Sequence, residues 1–223
     1  MAVLERETAS IVLLGSFNPA IFQPSWFERK TLVSPAEAEA AEIEVIHRGV
    51  TSLKLANLRL QVIPERFFVE AREPQEQVVL RDMMLSLLRL LRETPISRMG
   101  MNWQFHYRLE SEENWNHFGH VLAPKAPWEG LIGDTPGLLE LKMHGPRIDP
   151  PGSMNVVIRP SELYPRRGIF FEINSDYLLP TSSTAAPSVE TAAYFENLIK
   201  TLWDVGRPQA LQIADSLIER GTK

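Results

Sequence analysis

Apolar and polar side chains take turns along most of the middle of this chain, and the period changes only where a helix is expected. From Met99 to Leu109 the residues Met101, Trp103, Phe105, Tyr107 and Leu109 fall on one side, and Asn102, Gln104, His106 and Arg108 on the other. That is the pattern of a long strand with one buried face. Period two also governs the stretch from Ile43. Leu53 and Leu55 oppose Lys54; Leu58, Leu60 and Val62 oppose Arg59 and Gln61; Phe67, Val69 and Ala71 alternate with Phe68, Glu70 and Arg72. Ala56-Asn57 and Pro64-Glu65 supply turn residues between these runs, so the stretch reads as an antiparallel meander. Ser10–Phe17 is expected to be a buried strand, and Ser25 to open a helical turn carrying Trp26 and Phe27.

Helical periods lie between the strands. Gln75–Glu93 sits between Pro74 and Pro95 and carries an apolar stripe of Val79, Met83, Leu87, Leu90 and Leu91, the layout of a helix covering a sheet. Ser111 is placed as an N-cap with Glu112 and Glu113 in the first turn, opening a helix through Trp115, Phe118 and Leu122. Ser34–Ala41 fits either a capped helical turn or an exposed acidic loop. Ala123–Gly137 reads as an irregular connection and Pro180–Pro187 as a polar loop. Ser188 then opens a helix bearing Ala192, Phe195, Leu198, Ile199 and Leu202, interrupted at Gly206-Arg207-Pro208.

One series of motifs occurs twice. Gly49–Arg72 runs Gly-x-x-x-Leu-Lys, an apolar strand ending in Pro, then a Phe-Phe strand carrying a Glu; Gly137–Asn174 repeats that order. The expected class is therefore α+β: an antiparallel sheet with helices on one face. It is expected to be built from two ferredoxin-like (split βαβ) units in tandem, 1–98 and 99–223, the second with C-terminal helices, sharing one extended sheet. The bare face would be lined by Arg59, Gln61, Glu70, Arg72, Asn102, Gln104, His106, Arg108, Lys142 and Glu172.

Composition narrows the possibilities. In 223 residues, 44% are hydrophobic and 23% charged, ordinary values for a globular chain. The absence of cysteine removes disulfides, thiolate metal sites and a Cys nucleophile, and fits a reducing compartment. The first ten residues lack a signal-peptide pattern, and no apolar run approaches the roughly 20 residues that span a bilayer. A cytoplasmic protein without membrane association is expected. A net charge of -5 disfavours nucleic acid as a partner.

Candidate chemistry is sparse. His117 and His120 share a helix face with Glu113 one turn before, and His106 lies on the preceding strand. Imidazoles and a carboxylate of this kind are ligands for Zn²⁺ or Fe²⁺, although the spacing is not that of a His-Glu-x-x-His site. Glu70 and Glu172 hold matching places in the two copies. Phosphate loops and nucleophile elbows are missing. Trp128, inside the irregular connection, is a candidate interface anchor.

FNPAIFQPSWF, LQVIPERFFV, LRDMMLSLL and SEENWNHFGHVLAPKAPW resemble segments of a sporadically distributed family of uncharacterised bacterial proteins of about this length. The similarity spans most of the chain up to Tyr177. It implies a shared fold and supplies no catalytic residues or cofactor. The expected role is a soluble, non-enzymatic binding protein that engages a protein partner, or a second copy of itself, through the polar sheet face at Asn102, Gln104, His106 and Arg108, with Trp128. The alternative is a metal-dependent enzyme built on His106, Glu113, His117 and His120.

Overall fold

In the computed structural model, which describes residues 2–133, 136–180 and 188–222, the alternating stretches become nine strands of one sheet. They are β1 (Val3–Gly15), β2 (Glu42–His47), β3 (Val50–Leu55), β4 (Leu58–Ile63), β5 (Arg66–Ala71), β6 (Ile96–Arg108), β7 (Leu141–Arg147), β8 (Gly152–Pro160) and β9 (Gly168–Leu178). Their order is β2-β3-β4-β5-β1-β6-β9-β8-β7, and every neighbouring pair is antiparallel. The hairpin turns fall where expected. Ala56 and Asn57 adopt φ of 49° and 64°, the left-handed pair that a two-residue hairpin needs, and Leu55 faces Leu58 across it. Pro64-Glu65 likewise brings Ile63 opposite Arg66.

The helices are α1 (Pro24–Arg29), α2 (Pro35–Glu39), α3 (Gln77–Leu90), α4 (Glu112–Leu122) and α5 (Ser188–Gly221). At α2 the capped turn wins over the acidic loop, because Ser34 and Glu37 form a reciprocal capping box. Residues 181–187 of the expected polar loop lie outside the described residues. No helix among the described residues is long and apolar enough to cross a membrane.

The main core lies on one side of the sheet. Ile11 and Leu13 of β1, Leu60 and Val62 of β4, Phe67 and Val69 of β5, Trp103 and Phe105 of β6 and Phe171 and Ile173 of β9 share that side. They pack with Leu80, Met84 and Leu87 of α3, Phe118 of α4 and Phe195, Ile199 and Trp203 of α5. Phe17, Phe22 and Phe27 close it at one end around Phe67. The sheet is an α+β layer with helices on one face.

Four local readings change. β1 begins at Val3 rather than Ser10, because its polar first half pairs with β6 as far as Arg108. The buried stripe of α3 is Leu80, Met83, Met84, Leu87 and Leu88, whereas Val79 and Leu90 are exposed; the Leu/Met positions outcompete the Val pair for the sheet. α5 continues through Gly206-Arg207-Pro208. Its Arg207 is held by two hydrogen bonds, 2.6 and 2.7 Å, to Glu7 of β1, and Glu7 also accepts from Gln77 of α3 at 2.7 Å. Glu7 is 4% exposed, so this bridge ties both long helices to the sheet and holds α5 in place across its proline. Strand spacing also differs from a split βαβ unit, which sets one strand between the two that flank its helix. Here β5, β4 and β3 separate β1 from β2, and β9 and β8 separate β6 from β7.

Gly206 sits where α5 crosses β6. A Cβ there would come within 2.2 Å of the Trp103 ring, which is buried against Trp203 at 5.6 Å between centroids. Alanine inside a helix ordinarily gains about 1 kcal/mol over glycine. Gly206→Ala is nevertheless expected to lower stability by about 1–3 kcal/mol through overpacking, measured by urea denaturation. An increase in stability would refute this close approach.

Candidate binding face

The side of the sheet away from the helices is polar, and its strand register builds one continuous row across it. Glu42, Lys54, Arg59, Glu70, Ser10, Asn102, Asn174, Asn155 and His144 are successive partners from β2 to β7. Each strand contributes one residue, and five of the neighbouring pairs bond sideways. Lys54 pairs with Glu42. Asn102 donates to Ser10 Oγ at 3.1 Å and accepts from Asn174 Nδ2 at 2.6 Å. Asn155 donates to Asn174 at 2.9 Å, and its Oδ1 lies 2.8 Å from His144 Nδ1. A second row runs beside it, where Thr8 donates to Gln104 at 3.0 Å and Gln104 to Glu172 at 2.8 Å. From Ser10 to His144 the lateral bonds pair these polar side chains with one another, as half-buried polar chains require.

Asn102, only 8% exposed, is therefore a member of the sheet's own network, while Gln104, His106 and Arg108 are half-buried and border solvent. Arg108 donates to Glu5 at 2.6 Å and lies 5.8 Å from the Tyr164 ring centroid. Trp128 is 52% exposed, in a turn where its N–H donates to the Lys125 carbonyl.

His106 belongs to a small cluster that pattern reading missed. Phe170 is 3% exposed, yet it points away from the main core. The His106 ring covers it at 4.9 Å between centroids and the Arg159 guanidinium at 4.4 Å. His106 Nδ1 lies 2.7 Å from Ser161 Oγ, which accepts from the Leu163 N–H at 3.2 Å; the hydroxyl proton is thus free to bond Nδ1. Burial first, then the positive charges of Arg6 and Arg159, push His106 below its ordinary value against the opposing pull of Glu162. The signal in the sequence was the first Phe of Phe170-Phe171, which alternation already places on the polar side.

The four residues of the metal alternative do not converge. His106 is on the open face, whereas α4 packs through Phe118 on the helix side, with Glu113, His117 and His120 exposed there. Among the described residues no group of three or more His, Asp or Glu side chains is placed to hold a metal ion. Glu70 and Glu172 belong to β5 and β9, with β1 and β6 between them. Tyr107, on the core side, donates to Asp215 at 2.7 Å; burial and that bond push its phenol up.

His106 makes stability depend on pH. The folded state favours the neutral ring, so the unfolded chain takes up its proton first as pH falls through about 6.5. Stability contributed here is present above that value and declines from it down to the lower folded value. His106→Gln is expected to flatten this part of the stability–pH curve, measured by denaturant titration between about pH 5 and 7.5; an unchanged slope would contradict it. Comparison with known proteins adds no precedent for the face, since no protein-family model and no curated protein matches the chain.

Proposed function

We propose that the chain is a non-enzymatic binding protein and that its helix-free sheet face holds a protein partner, either a different protein or a second copy. One observation carries this reading: a single polar row crosses all nine strands with no helix above it among the described residues. Over its β1, β6, β9 and β8 part the polar side chains are already bonded sideways, so covering that part costs little, because few donors or acceptors there lose water without replacement. Side chains rising from it, among them Gln104, His106 and Arg108, then carry specificity. The outer strands β2 and β7 each pair on one side only, which adds two edges suited to strand addition.

We also infer that the two halves descend from one unit. The mirrored order supports this: outward from the centre, β1 is followed by β5, β4, β3 and β2, and β6 by β9, β8 and β7. Each unit reads as a ferredoxin-like layer with a widened strand insertion, and the interface between the units is the β1–β6 pair.

The combined variant Gln104→Ala, His106→Ala, Arg108→Ala is expected to weaken association by about tenfold or more, while the exposed helix-side control Arg89→Ala leaves it unchanged. Quantitative affinity capture reads hetero-association, and sedimentation velocity reads self-association. Identical behaviour of the triple variant and wild type in both would sink the proposal.

A further inference from the structure

Among the described residues, three buried side-chain nitrogens lack a hydrogen-bond partner, and two of them are the Nε atoms of Arg59 and Arg66. Both residues line one hollow on the open face, with Gln61 and Phe68 as its remaining walls and a volume of about 150 Å³. Register explains the convergence. Gln61 faces Phe68 across β4 and β5, Arg59 is two residues along β4 on one side, and Arg66 is two residues along β5 on the other. The two cations therefore flank an aromatic ring from opposite ends.

Among the described residues neither guanidinium has a strong anionic partner. Arg66 donates from Nη2 to the neutral Gln61 Oε1 at 2.6 Å. Arg59 reaches only Glu44, at 3.9 Å, and that carboxylate is already bonded by Ser52 at 2.6 Å. Glu70, directly opposite Arg59, is taken by Arg72 at 3.1 Å. A shielded guanidinium nitrogen without an acceptor is costly, and the two Nε–H groups in this hollow have none from the described residues.

We propose that this hollow is an oxyanion site, and that its occupant is a side-chain carboxylate of an acidic protein segment laid across β4 and β5. A carboxylate fits the fork of a guanidinium with two parallel bonds, and Phe68 offers an apolar floor for the methylene stem. The proposal rests on the open face being the binding surface, and it names the chemistry of the partner at one end of that face.

Isothermal titration at low salt would use three probes: an acetylated tetraglutamate amide, inorganic phosphate and a short oligothymidylate. The expected result is saturable binding of the glutamate peptide, weakened about tenfold by Arg59→Gln or Arg66→Gln. Thermal melting would confirm that each variant is folded, and Arg59→Lys, which keeps the charge but loses the fork, is expected to restore only part of the affinity. Equal affinity of wild type and the double variant, or no saturable binding, would overturn the site. Binding confined to phosphate or to the oligonucleotide would overturn the acidic segment as its occupant. Failure here, with partner association still sensitive to Gln104, His106 and Arg108, removes the oxyanion site alone. The converse result removes the wider face and leaves a local anion site.

Discussion

Pairing of β1 with β6 is the constraint from which the rest of this structure follows. The two strands run together from Val3 opposite Arg108 to Gly15 opposite Ile96, at the centre of the sheet. Side chains alternate along each strand, so a slip of one residue in this pair would turn Trp103, Phe105 and Tyr107 outward and His106 and Arg108 inward. Burial of the large aromatics therefore fixes the register, and the register then fixes the composition of the opposite face. Glu7 reinforces it from beneath: bonded to Arg207 and Gln77, it accepts only one placement of the long helices relative to β1. A buried charge of this kind serves specificity of arrangement more than net stability.

Much of the fold was legible because alternation is a strong local signal. The meander, its two-residue turns and the half-buried strand Ile96–Arg108 were all written in the period of the residues. Positions decided by tertiary competition were not. Pro208 reads as a break, yet it lies inside α5, where Arg207 and the close approach of Gly206 to Trp103 anchor the helix immediately before it. The polar first half of β1 carries too few apolar residues to register as a strand, and only its long partner reveals it. Strand order was illegible for a similar reason, since sequence shows which residues alternate but not which strand each one meets.

The candidate face was half legible. Asn102, Gln104, His106 and Arg108 do share one side of β6, as their spacing requires. Their partners Ser10, Asn174, Ser161 and Phe170 come from three other segments far away in sequence, and only register brings them together. The histidine grouping failed as a cluster for the same reason: nearness in sequence placed His106 beside α4, but the sheet itself stands between them.

The two ends of the sheet are not equivalent, and this bears on how the molecule avoids growing into a fibre. β2 has a register irregularity between Ile43 and Val45 and the acidic residues Glu42 and Glu44, while β7 has Pro146 near its end and Lys142 near its start. Interruptions and charges of these kinds discourage uncontrolled strand-on-strand stacking. Apolar side chains nevertheless stand exposed on both rims, Ile43 and Val45 on β2 and Met143 on β7, so each edge keeps a greasy foothold between its guards.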